Sequence, residues 1–398
     1  MKNLTAALIV VILLMNGCAT SGPDKKSPAE EEKVSVIEPA IKEPDGAKKK
    51  LEDKTTNTPQ PQIEKNLTNL NLTMGDIEKM PDVETFSIPA SIEKNCIGFL
   101  TGGDLREIKT IAMIGGGWAR PHPGPFSWGA IEETKGEYDF FDTDAFVLTA
   151  QANNISILGT VWPFLNKGEE KCKVSENDQF YPRDPRRRLG IPPYRCKPEN
   201  MAAYKKFLAA MVERYDGDGK EDMPNLEIPI KYWEVLNEPE LKSPTLTFFI
   251  GNEDDYLEIL KESYATIKQT CEDCKVLHGG AAGASEEFLA FWNKVLQSGG
   301  GNYFDITNIH SISSPDVSDL NVEKFKSLLD KHNIKKPIWV TEAEFRDSSG
   351  DVKASTQNAL DAGASKIFFV SFNVGGHGPP TPGSYNKDYK EAIKLCKK

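Results

Sequence analysis

Tyr232-Trp233-Glu234-Val235-Leu236-Asn237-Glu238-Pro239 is a short apolar run that stops in two polar residues and a proline. A run of this length bounded by a turn signal reads as a buried strand, and Pro239 ends it. Ile338-Trp339-Val340-Thr341-Glu342 is a second run of the same kind, again ending in a carboxylate. Searching outward from these two gives eight strands: Ile97–Thr101, Ile111–Arg120, Ile155–Trp162, Tyr232–Asn237, Lys275–Gly279, Ile306–His310, Ile338–Glu342 and Lys366–Phe372. Stretches of helical period lie between them, such as Tyr204, Phe207, Leu208, Met211 and Tyr215, or Tyr256, Ile259, Leu260, Tyr264 and Ile267. Phe288, Phe291, Trp292 and Val295 form a third stripe, and Val322, Phe325, Leu328 and Leu329 a fourth. Strands alternating with helices predict a parallel sheet, and eight such units predict an α/β fold of the (β/α)8 TIM-barrel type. A doubly wound open sheet is the other arrangement such alternation allows. It calls for GxGxxG after an early strand, and Gly115-Gly116-Gly117 followed by Trp118 does not supply one.

The barrel accounts for only part of the 398 residues. All 6 Trp, 11 Tyr and 19 Phe lie at or after Phe86. A stretch without aromatics can hardly nucleate a packed core. The expected domains are a signal peptide over 1–17, a lipidated cysteine with a disordered tether over 18–84, and a barrel over 85–398. Lys2 supplies a positive start, and Leu4 to Met15 is apolar but shorter than the about 20 residues a membrane span needs. Met15-Asn16-Gly17-Cys18 resembles a bacterial lipobox, which implies lipidation at Cys18 and anchoring of an exported protein to the cell envelope. The tether carries 14 acidic and 10 basic residues and seven prolines, a composition that cannot offset the entropy of ordering.

The net charge of -11 argues against a nucleic-acid partner. Five histidines without an HExxH or paired CxxC motif argue against a zinc enzyme, and no cofactor is expected. Setting Cys18 aside leaves six cysteines, an even number that favours disulfides in an exported domain. Six allow 15 connectivities. The preferred set is Cys172–Cys196 closing a long loop, Cys271–Cys274 closing a local one, and Cys96–Cys396 joining the first strand to the last helix. Cys271-Glu-Asp-Cys274 has a redox or metal-binding motif as its other reading.

Chemistry in a TIM barrel is carried at the C-terminal ends of the strands. The polar residues there are Arg120, Asn237, Glu238, His310, Glu342 and Glu344, with Trp162 beside them. Strands 4 and 7 lie across the mouth from one another. Glu238 and Glu342 would therefore face each other, as two carboxylates must to flank a glycosidic bond.

Trp233-Glu234-Val235-Leu236-Asn237-Glu238-Pro239 and Trp339-Val340-Thr341-Glu342 resemble the strand 4 and strand 7 signatures of the clan A glycoside hydrolases. Phe126-Ser127-Trp128, Ile131-Glu132 and Gly136-Glu137-Tyr138-Asp139-Phe140 with Asp144 are similar to the strand 2 region of the xylosidase-like and galactosidase-like branches. Pro198, Phe207 and Val212-Glu213-Arg214-Tyr215 look like that clan's helix 3, and Phe304-Asp305 with His310 its strand 6. The resemblance implies a retaining enzyme with Glu238 as general acid/base and Glu342 as nucleophile, their carboxyl groups about 5–5.5 Å apart. It further implies that Asn237 binds the sugar 2-hydroxyl, that Arg120 holds the nucleophile ionised, and that His310 shapes the sugar subsite. Alternation along strand 7 puts Glu344 on the side of Glu342, as a rim contact or the other candidate nucleophile. The chain departs from the clan's pattern in two places. Ile312 stands where an aromatic often follows the strand 6 histidine, and Ser371-Phe372-Asn373 stands where strand 8 often ends in Trp. Phe372, Trp162 and Trp118 are the candidate sugar-stacking rings.

The connection from Leu165 to Asn200 carries Arg183, Arg186, Arg187, Arg188 and Arg195, a cluster suited to acidic sugars or to internal ion pairing. His122 and His377 lie in other mouth loops. The expected partner is a poly- or oligosaccharide, and the chain is expected to act as a monomer. Two other readings stay open: a non-catalytic sugar-binding lipoprotein on the same barrel, and a barrel enzyme of lyase or metal-dependent chemistry.

Overall fold

The computed structural model describes residues 86–182, 190–312, 319–344, 351–372 and 387–397. Cys18, the signal and tether, Arg183, Arg186, Arg187, Arg188, Asn373 and His377 lie outside the described residues. Among the described residues no helix is long and apolar enough to cross a membrane.

Eight strands form the barrel wall: β1 (Ile97–Thr101), β2 (Trp118–Pro121), β3 (Ser156–Val161), β4 (Tyr232–Val235), β5 (Lys275–His278), β6 (Thr307–Ser311), β7 (Ile338–Ala343) and β8 (Ala364–Phe369). The helices outside them are α1 (Leu105–Ile114), α2 (Phe141–Gln151), α3 (Met201–Tyr215), α4 (Glu253–Thr270), α5 (Glu286–Gln297), α6 (Val322–Lys331), α7 (Asp351–Ala362) and α8 (Lys387–Ile393). The sheet runs β5-β4-β3-β2-β1-β8-β7-β6, and every neighbouring pair is parallel. Parallel bridges Leu277–Ile306 and Ala281–Ile309 bring β5 to β6 and nearly close the barrel. This is a (β/α)8 barrel, not an open sheet.

The second strand is shorter than expected. Ile111 and Ile114 continue the buried i, i+3 face begun by Ile108, so they belong to α1. That helix starts at Asp104, which accepts the Arg106 amide, and ends at Gly115 with φ 97°, a left-handed cap that favours glycine. The last strand ends earlier than expected, at Phe369, which leaves Phe372 beyond it.

Side chains pointing into the barrel repeat every second residue and stack in layers. The lowest layer is apolar and includes Trp118, Leu158, Leu277, Ile306, Trp339 and Phe368, with Tyr232 against it. Two residues further along the same strands come Arg120, Thr160, Glu234, Asn308 and Thr341, all fully buried and polar. The next step gives His122, Trp162 and His310. A hydrophobic plug therefore supports a polar floor, and the floor supports the mouth.

Three disulfides join Cys96 to Cys396, Cys172 to Cys196 and Cys271 to Cys274. The first ties β1 to the segment after α8. Arg195 is not a free cation at the mouth: it is buried, pairs with Asp178 at 3.0 Å, and donates to the carbonyls of Pro192, Phe180 and Thr247. Its charge closes the loop after β3 onto a two-strand hairpin, Lys242–Ser243 with Leu246–Thr247, that follows β4.

Candidate active site

Beyond Val235 the chain leaves β4 through Leu236 at φ 73° and Glu238 at φ 40°, both left-handed. Such residues cost about 1–3 kcal/mol each and are held only by their surroundings. Here the Leu236 amide bonds Val161 and the Glu238 amide bonds Gly280. The twist delivers Asn237 and Glu238 into the mouth instead of continuing the strand.

A register shift re-aims β7 as well. Ile309 pairs with Val340, but His310 pairs with Glu342, so Thr341 is an extra residue on the β7 side. A bulge of this kind breaks strict alternation and turns consecutive side chains inward. Thr341 bonds His310 and Glu234, while Glu342 bonds Arg120. Beyond the bulge, Glu342 and Ala343 pair in regular steps with His310 and Ser311. Glu344 follows β7, half-buried, and its charge is felt by the Tyr389 phenol on α8.

Arg120 is the hub. Its Nε donates to Glu234 Oε2 at 2.8 Å, Nη1 to Glu342 Oε1 at 2.7 Å, and Nη2 to Asn237 Oδ1 at 2.6 Å. Glu234 also receives Thr160 at 2.9 Å, Asn308 Nδ2 at 2.7 Å and Thr341 at 3.2 Å. Arg120 and Asn308 Nδ2 can only donate and both threonine hydroxyls can donate too, so the set suits a carboxylate that accepts throughout. His310 Nδ1 lies 2.6 Å from Glu238 Oε1, and its Nε2 lies 2.9 Å from Thr341 Oγ1. Arg120, Glu234, Asn237, Asn308, His310 and Thr341 are all 0% exposed, whereas Glu238 and Glu342 keep 6% and 8%. The two carboxylates alone in this network reach the mouth.

Their environments differ. Burial raises Glu238 to about 8, with Glu234 adding to the rise and Arg120 opposing it. Burial raises Glu342 too, but the Arg120 guanidinium in direct contact opposes the rise. His310 is pushed down to about 4 by burial and is neutral at pH 7. Burial also pushes His122 well below the usual imidazole value.

Two of the three candidate sugar-stacking rings lie elsewhere. Trp118 is the first residue of β2, hence at the closed end of the barrel, where its indole donates to the Ile92 and Asn95 carbonyls and lies under Lys366. It cannot meet a ligand at the mouth. Phe372 packs in the core, its ring stacked 5.2 Å from Phe99. Trp162 does lie at the mouth end of β3, fully buried against His122 and Phe248.

Thr160, Asn308, Thr341, His278 and Glu240 complete the site and were not singled out from the sequence. Thr160 pairs with Glu234, and Asn308 and Thr341 lie two residues beyond Ile306 and Trp339 of the apolar layer, so the two-residue repeat held that signal. His278 orients Asn308: its Nδ1 meets the Gly279 carbonyl at 2.8 Å, and its Nε2 accepts the Asn308 amide at 3.1 Å. Glu240 accepts Ala282 N at 2.7 Å and Trp292 Nε1 at 2.8 Å, tying the loop after β4 to the one after β5.

Gly280 sets the closeness of the site. A Cβ there would stand 2.0 Å from His310 Nε2 and 2.4 Å from Asn308 Oδ1. Gly280→Ala is expected to push His310 off Thr341 and to destabilise the domain by about 1–3 kcal/mol. Urea unfolding of the variant checks this, and an unchanged midpoint would contradict it.

Oxygens of Glu238 and Glu342 and a nitrogen of His310 lie within 4.8 Å of one another, close enough to share a cation. Arg120 already occupies Glu342, however, and both nitrogens of His310 are engaged. The set is complete as a hydrogen-bonded acid–base site. Cys271 and Cys274, near Asp273, are joined to each other and offer no thiolate.

Fold and mouth together define a TIM-barrel protein with a paired-carboxylate site. No family model matches the chain, and no curated protein sequence matches it. Among solved structures the barrel is similar to a glucosidase from Croceicoccus marinus, with a TM-score of 0.51 at 15% identity over 80% of this chain and 70% of that one. It is also similar to a psychrophilic glycoside hydrolase family 10 endo-beta-1,4-xylanase, with a TM-score of 0.50 at 14% identity over 75% of this chain and 96% of that one. A polyextremophilic beta-galactosidase from the haloarchaeon Halorubrum lacusprofundi gives 0.50 at 14%, covering 76% of this chain and 57% of that one. These likenesses establish the fold.

Proposed function

We propose that the protein is a retaining glycoside hydrolase acting on β-linked poly- or oligosaccharides, with Glu238 as acid/base and Glu342 as nucleophile. The observation that carries this is the pair itself: two carboxylates at the mouth side of a buried cage, with oxygens within 4.8 Å and environments that favour the protonated form of one and pair the other to a cation. Such a division supports Glu238 as the acid and Glu342 as the nucleophile, and the short spacing favours retention.

Glu342 attacks the anomeric carbon while Glu238 protonates the departing oxygen. Glu238 then takes a proton from the water that releases the sugar. Asn237 Nδ2, His122 Nδ1 and Trp162 Nε1 are buried without partners among the described residues, and they suit a ligand rich in hydroxyl groups. With its oxygen fixed by Arg120, Asn237 presents its amide to the sugar 2-hydroxyl, where a bond that strengthens in the transition state aids catalysis. Export and lipid anchoring through Cys18 belong to the same proposal. Three disulfides in one domain suit an oxidising compartment.

The test is hydrolysis of a panel of aryl glycosides and polysaccharides, with mass spectrometry after 2-fluoro-sugar inactivators. Label is expected on Glu342. kcat/KM for poor leaving groups is expected to fall as pH rises through about 8, because Glu238 donates only while protonated. Sugar binding without hydrolysis or labelling across the panel would leave the non-catalytic reading in its place.

A further inference from the structure

We infer that Thr341 is a positioning residue that, acting through His310, holds the acid proton on Glu238. This rests on the reading of Glu238 as the acid. The argument follows hydrogens outward from the polar floor. Glu234 is acceptor-only and has no hydrogen to give. It lies 3.2 Å from Thr341 Oγ1, so the single hydroxyl hydrogen of Thr341 must point at it. Thr341 can then only accept from its other neighbour, His310 Nε2 at 2.9 Å. That nitrogen carries the one hydrogen of a neutral imidazole, which leaves a lone pair on Nδ1. Glu238 Oε1, 2.6 Å away, must supply the hydrogen of that contact.

The chain thus has a direction: Glu238 donates to His310, His310 to Thr341, and Thr341 to Glu234, which Arg120 anchors. The opposite direction would place Thr341 and Glu234 oxygens together with no hydrogen between them. It would also present an Nδ1–H to Glu238 and so favour its carboxylate, the wrong form for an acid. Charged and titratable groups around this chain are Arg120 and His122 from β2 and its loop, Glu234 and Glu240 from β4 and its loop, His278 from β5, and Glu342 from β7. Of these, Arg120 opposes the protonated form of Glu238 and Glu234 supports it.

Thr341→Val keeps the shape and removes the hydroxyl. Without it His310 Nε2–H has no acceptor, and the imidazole is expected to turn to the Nδ1–H form and bond an ionised Glu238. The full-length protein, Thr341→Val and Thr341→Ser are compared near pH 7 by 15N histidine NMR, with His310→Gln to assign the signal. The wild type and Thr341→Ser are expected in the Nε2–H form and Thr341→Val in the Nδ1–H form. Infrared difference spectra against Glu238→Gln are expected to show a protonated carboxyl in the first two and to lose it in the third. In kinetics, the alkaline limb for poor leaving groups should move about one pH unit lower in Thr341→Val, which is about tenfold at fixed alkaline pH. Thr341→Ser should restore it. An Nδ1–H form of His310 in the wild type overturns the inference, as does an unmoved carboxyl band in Thr341→Val. The two spectroscopic readouts need no substrate. If they come out as expected while no sugar is cleaved, it is the glycosidase reading that fails.

Discussion

Glu342→Ala is expected to lower kcat on the order of 10^4-fold or more while leaving the fold intact. A lost nucleophile removes the covalent path itself, not a fraction of its efficiency. The site predicts a second result that separates this role from a structural one. Glu342 makes one strong contact, Nη1 of Arg120, and it retains some exposure, so its truncation opens a small space beside a cation. Added azide can enter that space and attack the sugar, and activity on substrates with good leaving groups is expected to return as a glycosyl azide of inverted configuration. Recovery by azide in Glu238→Ala with inversion, and none in Glu342→Ala, would reverse the two roles. No rescue in either, with both variants folded, would count against a displacement mechanism.

The residues gathered at the mouth were legible because a barrel converts sequence position into place. Arg120, Asn237, Glu238, His310 and Glu342 each end an apolar run, and runs end at the mouth. The same repeat stacks Arg120 over Trp118, Glu234 over Tyr232 and Asn308 over Ile306, so the polar floor was also present in the spacing. The sequence reads Glu234, inside strand 4, as paired in the barrel interior, and it is, but Thr160, Asn308 and Thr341 were not singled out, because buried polar residues announce themselves only when their partners on other strands are known. Glu234 is an odd carboxylate inside a strand until Arg120, Thr160, Asn308 and Thr341 surround it.

What spacing could not supply was register. The extra residue at Thr341 depends on how β6 and β7 are counted against each other, a property of the pair and not of either run. Left-handed Leu236 and Glu238 have no local signature either, since neither residue type favours that region and tertiary bonds hold them there. Trp118 was misplaced by a boundary. Extending the second strand back to Ile111 put Trp118 near its end, whereas a strand that begins at Trp118 puts it at the bottom. Boundary errors in a barrel are therefore errors of height.

Arg120→Leu is expected to be the most destabilising single change at the site. One guanidinium holds Glu234, Glu342 and Asn237, and it is fully buried. Removing it strands two carboxylates in a low-dielectric interior, a loss of about 3–5 kcal/mol. Arg120→Lys keeps the charge but cannot spread three bonds over a planar fork, so an intermediate loss is expected. The pH dependence distinguishes stranded charge from lost packing. Arg120 is one of the groups pulling Glu342 toward its ionised form, so without it Glu342 in the folded protein rises further above its unfolded value. A carboxyl with a raised folded pKa makes the folded state bind more protons, so stability falls as pH rises through that window and returns as pH drops. Urea midpoints at pH 7 and pH 5 should therefore show the gap between wild type and Arg120→Leu narrowing at the lower pH. A gap of equal size at both values would mean that the leucine side chain is simply the wrong shape, and that the charge on Arg120 is not what holds the floor of the site.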